Sequence, residues 1–419
     1  MGSEWKKAKL TEHYEIRSGL SKPAKDFGSG YPFLTFKNVF YNYFVPSELT
    51  ELVQSTEKER AGCSVQRGDV FLTRTSETMN ELGMSCVALK SYENSSFNGF
   101  CKRLRPKPES DLVPEYVGYY LRSPRFRNDM LAFSTMSTRA SLNNDMIGRL
   151  DISYPSPESQ RKVAHVLKSF DDKITINRQT NQTLEQMAQT LFKSWFVDFD
   201  PVKAKMNGEQ PKGMDAATAL LFPEKLVESE LGLIPEGWEP KQLKEVLELA
   251  YGKALKKTDR VAGDVPVYGS GGLTGYHNQS LIEGPGIIVG RKGTVGSVYW
   301  EPKAFYPIDT VFYVKPKTGY SLKYCHLVLQ NLGLKDMNTD AAVPGLNRNN
   351  AYRLDVITPS EPVLKKFEEM MQSFQSKVDT NNAQNASLES LRDTLLPKLL
   401  SGEIDLENLP VEQAKALAE

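Results

Sequence analysis

The chain contains 419 residues, of which 40% are hydrophobic and 25% charged, and its formal net charge is zero. This length suits two to four folding units of a globular protein. No stretch approaches the ~20 apolar residues that cross a bilayer, and the N-terminus lacks the apolar run of a signal peptide, so we expect a cytoplasmic protein. The cysteines show no metal-binding spacing and are predicted to be reduced thiols. They are Cys63, Cys86, Cys101 and Cys325.

Basic residues are concentrated in two separate blocks of the chain. Residues 1–150 contain 21 Lys and Arg against 17 Asp and Glu, and residues 231–355 contain 15 against 12. Residues 356–419 contain 6 against 11, so the C-terminal part is acidic. This distribution permits nucleic-acid binding by each basic block without demonstrating it.

An internal duplication organises the chain. Residues 142–191 align without a gap with residues 346–395 at an offset of 204, and residues 5–19 align with residues 238–252 at an offset of 233. Because the offset changes, the globular parts have diverged in length while the helical parts have not. The sequence therefore predicts a globular region, a long helix and a linker, followed by a second globular region and a second long helix.

Both predicted helices have recognisable ends. Ser156 can cap the first helix, which then runs to about Phe196, and Ser360 can cap the second, which ends near Gly402. Apolar or amide residues recur at alternating steps of four and three, which is the spacing of a coiled-coil seam. These positions are Val163, Leu167, Phe170, Ile174, Asn177, Asn181, Leu184, Ala188, Leu191 and Trp195, then Phe367, Met371, Phe374, Val378, Asn381, Asn385, Leu388, Leu395 and Leu399, with Arg392 interrupting the second series.

A helix of about 40 residues spans ~60 Å and cannot bury such a seam alone. Since the duplication supplies a similar partner, we expect the helices to pair antiparallel, with the globular regions at opposite ends of a rod and a pseudo-two-fold axis between them. Such a body suits a duplex that presents two half-sites. The seam asparagines are predicted to fix the helix register, or alternatively to lie at a solvated edge. They are Asn177, Asn181, Asn381 and Asn385.

The predicted fold class is therefore α+β. Two globular regions of mixed short strands and helices are separated by two long antiparallel helices that form an intramolecular coiled coil. The predicted boundaries are 1–155 for the first globular region, 156–200 for the first long helix, 201–236 for the linker, 237–359 for the second globular region, 360–402 for the second long helix and 403–419 for an acidic tail.

In each globular region a predicted strand ends in a basic loop rich in hydroxyl groups. The loops are Thr73–Glu77 and Gly290–Thr294, which place Arg74 and Arg291 at equivalent points. Arg and Lys can contact guanine edges or phosphates, and Asn can pair with adenine. A solvated hairpin tip is the alternative for either loop alone, but its occurrence in both halves favours DNA. The candidate DNA-binding residues, including weaker basic clusters and the segments before the long helices, are Lys37, Arg74, Thr75, Ser76, Lys102, Arg103, Arg105, Arg139, Asn143, Asn144, Lys253, Lys256, Lys257, Ser270, Arg291, Lys292, Thr294, Asn347, Arg348 and Asn349.

The chain lacks the usual sequence signatures of catalysis. It has no GxxxxGK[ST] phosphate loop, no strand–GxGxxG–helix unit around the glycines at 269–275, and no HExxH metal motif. The adjacent Cys325 and His326 are predicted to be structural. The Asn/Asp-Pro-Pro-Tyr/Phe signature of adenine methyltransferases is also missing, so any catalytic groups are expected on a partner.

Residues 170–202 closely resemble the central conserved region of the specificity subunits of type I restriction–modification systems. Linker segments between residues 214 and 238 continue the likeness, and residues 395–402 resemble the distal conserved region. Residues 290–296 are similar to the glycine-rich loop of the target-recognition domains in this family. The resemblance covers the whole chain in the expected order, and the corresponding loop at Thr73–Thr78 departs from the glycine pattern.

This resemblance implies two target-recognition domains, each reading a few base pairs of double-stranded DNA, and helices that set the spacer and dock two methyltransferase subunits. Those partners would methylate adenine with S-adenosylmethionine, and ATP and Mg²⁺ are implied for restriction/translocase subunits, while this chain holds no cofactor or metal and binds without catalysis. A protein-interaction scaffold and a single-chain DNA-modifying enzyme are the alternatives. The candidate docking residues, which could also pack against the chain's own domains, are Met187, Phe192, Phe196, Leu396 and Leu400.

Overall fold

The computed structural model describes residues 5–76, 81–132, 140–337, 345–404 and 406. The chain forms two compact units: unit 1 contains Met1–Arg178 and Asn382–Glu419, and unit 2 contains Gln179–Asn381. Each unit thus combines one globular region with one half of each long helix. The sequence prediction treated the helices as separate segments, whereas the compact units divide both helices in the middle, because the seam of each helix half needs the other helix beside it.

The elements of the first part of the chain are short, apart from the long helix α7. The strands are β1 (Lys6–Lys9), β2 (Tyr14–Ser18), β3 (Phe27–Leu34), β4 (Leu52–Val53), β5 (Val70–Thr73), β6 (Thr75–Ser76), β7 (Ser85–Val87), β8 (Ser96–Phe97), β9 (Cys101–Pro106), β10 (Ala140–Ser141) and β11 (Asp151–Tyr154). The helices are α1 (Leu10–His13), α2 (Phe36–Tyr41), α3 (Glu57–Gly62), α4 (Pro114–Tyr120), α5 (Pro124–Ala132), α6 (Asn144–Arg149) and α7 (Pro157–Phe196).

The second part of the chain begins with two short helices and two short strands at the predicted linker, then repeats the succession of the first part in outline and ends in the long helix α13. The strands are β12 (Leu226–Ser229), β13 (Gly232–Pro235), β14 (Glu239–Gln242), β15 (Leu247–Tyr251), β16 (Val265–Gly269), β17 (Gly272–His277), β18 (Gly286–Gly290), β19 (Val298–Glu301), β20 (Tyr306–Pro307), β21 (Val311–Pro316) and β22 (Asp355–Thr358). The helices are α8 (Asp200–Met206), α9 (Ala216–Ala219), α10 (Leu243–Val246), α11 (Leu322–Asn331), α12 (Arg348–Tyr352) and α13 (Glu361–Ser401).

The sheets of the two units have the same topology. Unit 1 contains a four-stranded sheet in the order β2-β9-β5-β7, and unit 2 contains one in the order β15-β21-β18-β19. The three-stranded sheets β4-β3-β8 and β17-β16-β20 also correspond, as do the pairs β1–β11 and β14–β22. In both three-stranded sheets the last pairing is parallel. The predicted duplication is therefore confirmed at the level of strand order and direction.

A glycine follows the first strand of each four-stranded sheet for the same steric reason. A Cβ on Gly19 would lie 2.2 Å from the carbonyl oxygen of Asn98, and a Cβ on Gly252 would lie 2.1 Å from that of Ile308. Contacts this short do not occur between a Cβ and a backbone oxygen, so only glycine fits either position. The match between Gly19 and Gly252 in the repeat thus reflects a shared close approach of two backbone segments.

The long helices begin and end where the sequence predicts. The Ser156 hydroxyl accepts a hydrogen bond from the Ser159 amide at 3.3 Å, which caps the start of α7. Gly402 follows the last residue of α13 with a φ of +77°, which is a left-handed conformation suited to glycine at a helix C-terminus. Every predicted seam position is buried or half-buried, so the seam is confirmed.

The asparagines of the seam pair across the helices within each unit. In unit 1 the Asn177 amide donates to the Asn385 side-chain oxygen at 2.9 Å and to that of Gln384 at 2.8 Å. In unit 2 the Asn381 amide donates to the Asn181 side-chain oxygen at 2.8 Å. Within unit 1, Asp171 meets Arg392 and Asn177 meets Asn385, so the two helices run antiparallel there. The same holds within unit 2, where Asn181 meets Asn381 and Phe192 meets Phe367. The amides therefore lie within the seam and not at a solvated edge.

The interruption of the seam at Arg392 is resolved by an ion pair in unit 1. The Arg392 guanidinium donates to the Asp171 carboxylate at 2.7 Å, and both side chains are largely shielded from water. Burial by itself lowers the pKa of Arg392, but the hydrogen bond and charge of Asp171 outweigh it, and the pKa is raised. The arginine therefore replaces an apolar contact with a charged contact between the two helices.

The predictions for the cysteines and for membrane-spanning helices can be compared directly with the structure. All four cysteines are free thiols, and burial raises the pKa of the Cys101 thiol to about 12. Cys325 and His326 are both buried in α11, as expected of structural residues. Within the described residues, no helix has the length and apolar character to cross a membrane.

We predict that the seam asparagines act as pairs. Replacing Asn177 alone with leucine leaves the Asn385 amide without that partner, and we expect the free energy of unfolding to fall by about 1–3 kcal/mol. The double variant N177L/N385L should recover most of this loss, because two apolar side chains can pack together. Urea unfolding of the single and double variants measures the coupling.

The double variant also tests the role of these residues in register. If the asparagines fix the register, N177L/N385L should populate additional oligomers or helix pairings, visible by sedimentation and by cross-linking of cysteines placed on the two helices. A monodisperse double variant with unchanged cross-links would limit the asparagines to a contribution to stability.

We predict a pH-dependent loss of stability that originates at His326. Burial lowers the pKa of His326 to about 4, against an ordinary value of 6.5. Between these values the unfolded chain binds more protons, so the free energy of unfolding should fall as the pH drops from 6.5 toward 4, by roughly 3 kcal/mol at the lower end. The measurement compares urea unfolding of the wild type and H326L at several pH values, and an identical pH dependence in both would contradict it.

Candidate nucleic-acid interface

The two predicted arginine loops are built in the same way in their respective units. In unit 1 the Arg74 amide donates to the Phe100 carbonyl oxygen at 2.7 Å, and the Arg74 carbonyl oxygen accepts from the Leu142 amide at 2.8 Å. In unit 2 the Arg291 amide donates to the Thr310 carbonyl oxygen at 3.0 Å, and its carbonyl oxygen accepts from the Leu346 amide at 2.8 Å. In both units, the backbone amide and the backbone carbonyl group of the arginine thus form equivalent hydrogen bonds.

These hydrogen bonds join candidate segments that lie far apart in the sequence. In unit 1, Thr75 pairs with Ser141 in the short ladder between β6 and β10. In unit 2, Lys292 forms an equivalent bridge with Gly345. The loop after the central strand and the segment before the long helix therefore form one surface in each unit, which we call the arginine junction.

The arginine junction of unit 2 contains two guanidinium groups on one tyrosine. The guanidinium carbons of Arg291 and Arg348 each lie 4.7 Å from the centre of the Tyr251 ring. Tyr251 in turn packs against the buried ring of Phe312, with 5.1 Å between ring centres. Cations over an aromatic face are attracted by its quadrupole. Both positive charges are therefore held against the same ring, at the end of β15.

Other predicted residues of unit 2 lie beside this pair. The Ser270 carbonyl oxygen accepts a hydrogen bond from the Ser297 hydroxyl at 2.7 Å, which ties the turn before β17 to the loop after β18. Lys292 and Thr294 are exposed on that loop. A Cβ on Gly293 would lie 3.3 Å from the Ser270 hydroxyl, so the two loops approach closely. The structure thus brings Ser270, Lys292 and Thr294 to the same edge as Arg291.

The arginine junction of unit 1 has a different chemical character. Arg74 is exposed, and the Lys102 ammonium donates to the Ser18 hydroxyl at 2.9 Å. Burial first, and the nearby charge of Arg74 second, lower the pKa of Lys102. The two cations are therefore close enough to interact. Phe100 lies next to them with an exposed ring.

Two arginines predicted to contact DNA are structural, and those predictions are wrong. Arg103 is only 2% exposed, and its guanidinium donates to the Ser64 carbonyl oxygen at 2.8 Å. Arg105 donates from Nε and Nη2 to the fully buried carboxylate of Asp69 at 2.8 and 2.6 Å. Residues two apart in a strand lie on the same face, so Arg103 and Arg105 of β9 both face the protein. Two of the basic residues in this run therefore serve the interior of unit 1: Arg105 neutralises Asp69, and Arg103 donates to a backbone carbonyl oxygen.

Two predicted asparagines use their side-chain oxygens to cap short helices. The Asn143 oxygen accepts from the Met146 amide at 2.8 Å at the start of α6. The Asn347 oxygen accepts from the amides of Asn349 and Asn350 at 2.9 and 3.2 Å at the start of α12. This is the turn-forming role expected of asparagine at a helix start. The Asn347 oxygen already accepts two hydrogen bonds and has no lone pair left for adenine in this conformation, whereas the Asn143 oxygen accepts one and keeps a second lone pair.

The remaining basic candidates are exposed and separate. Lys37 lies on α2, and Lys253, Lys256 and Lys257 lie on the segment after β15. Their side chains form no hydrogen bond or ion pair with the described residues, so they stay available to solvent or to a phosphate backbone. Asn144 is also exposed, at the first position of α6. Arg139 and the side chain of Ser76 lie outside the described residues.

Four of the five predicted docking residues are buried in the cores of their own units. Phe192 and Phe196 pack with Tyr324 and Phe367 in unit 2. Leu396 and Leu400 are buried in the core of unit 1. These docking predictions are wrong, because the globular domains cover the helix faces next to the seam. Met187 differs, since 48% of the residue is exposed.

Sequence reasoning missed Tyr251, which organises the junction of unit 2. The repeat aligns Tyr251 with Ser18, so no shared residue type drew attention to this position. An aromatic residue directly before the close-approach glycine Gly252 was the one available signal. Its meaning depends on two arginines that reach it from distant segments.

Comparison with known proteins agrees with this architecture. Residues 2–186 and 235–390 match the family described as type I restriction modification DNA specificity domain. The chain belongs to this family. It is 27% identical to the type I restriction enzyme HindI specificity subunit of Haemophilus influenzae, over 96% of this chain and 100% of that protein. It is 25% identical to the MjaIX specificity subunit of Methanocaldococcus jannaschii, over 97% and 95% of the two chains.

A solved structure supports the fold. The crystal structure of the type I restriction–modification S subunit from M. genitalium superposes with a TM-score of 0.52 at 16% identity, covering 95% of this chain and 96% of that chain. The predicted family and fold class are therefore confirmed. As a type I specificity subunit, the chain is the non-catalytic DNA-recognition component of a restriction–modification system.

We predict opposite behaviour for two arginines of the specificity subunit that the sequence alone does not distinguish. R103A should lower the free energy of unfolding by about 2–4 kcal/mol, because it empties a buried, hydrogen-bonded site. R74A should change stability by no more than ~0.5 kcal/mol, since the side chain is exposed, but it should weaken DNA binding. Urea unfolding and DNA titration of both variants in the assembled complex make the comparison, and a stable R103A with weakened DNA binding would contradict it.

Proposed function

We propose that each globular region of this specificity subunit reads one half of a bipartite DNA target. The observation that carries the proposal is the arginine junction, which occurs at equivalent places in both units with the same backbone hydrogen bonds. Each junction presents an exposed cation after a central strand, which is Arg74 in unit 1 and Lys292 in unit 2. Such groups supply phosphate contacts for affinity and base-edge contacts for discrimination. Two junctions in one chain suit a target with two separated halves.

The long helices are proposed to set the spacer between the two halves. Their antiparallel pairing is held by amide hydrogen bonds and by the Arg392–Asp171 ion pair. A helix pair with one register has a fixed length, because each residue adds ~1.5 Å along the axis. A spacer of constant length follows from that property, and a flexible linker would permit several lengths.

The helices are also proposed to dock two methyltransferase subunits. The support on unit 2 is a groove of about 670 Å³ between α7 and the linker, which exposes Met187. Its apolar lining includes Leu191, Met214, Met370 and Phe374. An exposed apolar groove of this kind is typical of a protein contact surface. Met187 is therefore the docking candidate retained from the sequence.

The chemistry of the complex is assigned to the partner subunits. We infer that methyltransferase subunits use S-adenosylmethionine to methylate adenine, and that restriction/translocase subunits carry out the ATP- and Mg²⁺-dependent steps. The specificity subunit then contributes binding and orientation of double-stranded DNA, in the cytoplasm. This division matches the relatives, which are named as specificity subunits of type I restriction enzymes.

We predict that the chain, co-expressed with the methyltransferase subunit of its own system, directs adenine methylation to one bipartite motif with a fixed gap. The complex should contain two methyltransferase subunits per specificity subunit by native mass spectrometry. Genome-wide mapping of methylated adenine gives the motif. The chain without partners, incubated with DNA and S-adenosylmethionine, is the control and should transfer no methyl group.

A domain exchange sharpens this test. Replacing residues 1–150 with the corresponding region of a relative should change one half of the motif and preserve the other half and the gap. A continuous motif, or a change in both halves after the exchange, would contradict the proposed division of labour. A variable gap would contradict the role of the helices as a spacer.

A further inference from the structure

Tyr251 connects two arginines that the sequence places in separate segments. Arg291 follows the central strand β18, and Arg348 is the first residue of α12. Their guanidinium carbons lie at the same distance of 4.7 Å from the Tyr251 ring centre. Tyr251 itself is 48% exposed. The tyrosine therefore links the interior of unit 2 to a pair of cations on its surface.

The Tyr251 ring is held in place by a buried aromatic ring and by the fixed backbone that follows it. Phe312, which is fully buried, contacts it with 5.1 Å between ring centres. The neighbouring Gly252 is fixed by its close approach to the carbonyl oxygen of Ile308. Arg291 is restrained further, because its Nη1 donates to the Asp309 carbonyl oxygen at 3.0 Å. The guanidinium of Arg291 is thus oriented before any ligand arrives.

The guanidiniums of Arg291 and Arg348 form no ion pair with a carboxylate of the described residues. Two like charges on one ring repel each other. Aromatic rings and a backbone carbonyl offset that repulsion, since Arg291 also lies 5.8 Å from the Phe312 ring centre and Arg348 lies 5.7 Å from that of Tyr352. Two cations without a carboxylate partner attract an anionic ligand or one rich in hydrogen-bond acceptors. On the proposed function, that ligand is the DNA half-site that unit 2 reads.

The equivalent positions in unit 1 lack the platform. The repeat places Ser18 where unit 2 has Tyr251, and Asn144 where unit 2 has Arg348. Ser18 instead accepts a hydrogen bond from Lys102. An ammonium is a point charge with rotatable donors, whereas a guanidinium is a planar fork with donors in fixed directions. The two junctions therefore offer different recognition chemistry on the same backbone frame.

We propose that Tyr251 is a positioning residue that orients the guanidiniums of Arg291 and Arg348 for bidentate recognition of guanine in the half-site of unit 2. The inference rests on the proposed function and deepens it. Bidentate pairing with O6 and N7 of guanine needs an oriented fork, which the ring supplies. A phosphate group can accept the same fork, so the experiment below is designed to separate a guanine contact from a phosphate contact. The half-site of unit 1 is read without this device.

The experiment uses the full complex with its methyltransferase subunits and compares Y251F, Y251A and R348K with the wild type. Y251F keeps the aromatic face and is the matched control. Y251A removes the face, and R348K keeps the charge while removing the fork. Adenine-methylation mapping reports the motif, and DNA titration uses the mapped wild-type site with 7-deazaguanine in place of guanine, which deletes the N7 acceptor. Exchange of residues 237–359 identifies the half-site of unit 2.

Y251A and R348K should each lose about 10- to 100-fold of the discrimination for guanine at one or more positions of the unit 2 half-site. The other half-site should be unchanged, and Y251F should behave as the wild type. The wild type should lose affinity for the 7-deazaguanine site in the unit 2 half alone, and Y251A should show little further loss. A folding defect in Y251A would not imitate this pattern, because R348K leaves the ring in place.

Three results would overturn the inference. One is a half-site of unit 2 without guanine. Another is a uniform loss of affinity in Y251A and R348K with an unchanged motif and a weaker salt dependence, which would assign the arginines to phosphates. The third is a Y251F variant as impaired as Y251A. Failure of the proposed function is distinct, since the wild type itself would then give no bipartite motif.

Discussion

The architecture depends on one constraint: neither long helix can bury its apolar seam without the other. Each compact unit therefore contains half of α7 and half of α13, although these halves lie far apart in the sequence. The amides of Asn177 and Asn381 and the Arg392–Asp171 ion pair are polar contacts in an otherwise apolar seam, and polar contacts restrict register because a shifted pairing would leave them unsatisfied. Within each unit, the globular region packs on a helix pair whose register these polar contacts restrict.

The same frame supports different chemistry in the two units. Arg74 and Arg291 are held by the same two backbone hydrogen bonds, so the fold places a cation at the same point twice. The surrounding side chains are free to vary, since the backbone bonds do not involve them. In unit 2 the variable side chains are a tyrosine in contact with two guanidiniums. In unit 1 they are a lysine hydrogen-bonded to a serine. On the proposed function, this difference gives the two units different chemistry for reading two half-sites with one fold.

Burial decided which basic residues remain candidates for DNA contact. The run Lys102–Arg105 looks uniform in sequence, yet Arg103 and Arg105 are committed to Ser64 and Asp69 while Lys102 lies at the junction. Charge alone could not separate them, because a buried arginine with carbonyl and carboxylate partners has the same composition as a surface arginine. The docking candidates failed for a related reason. Phe192 and Leu396 flank the seam, and the domains of this same chain cover them.

The sequence by itself determined the family, the duplication, the α+β class and the bounds of both long helices, since heptad spacing, capping residues and repeats are local signals or simple offsets. It also located both arginine loops. Only the tertiary structure decided that each loop meets the segment before a long helix, that Asn143 and Asn347 spend their oxygens on helix caps, and that Tyr251 gathers Arg291 and Arg348. These outcomes depend on contacts between residues far apart in the chain, and a single sequence carries no periodic signal for such contacts.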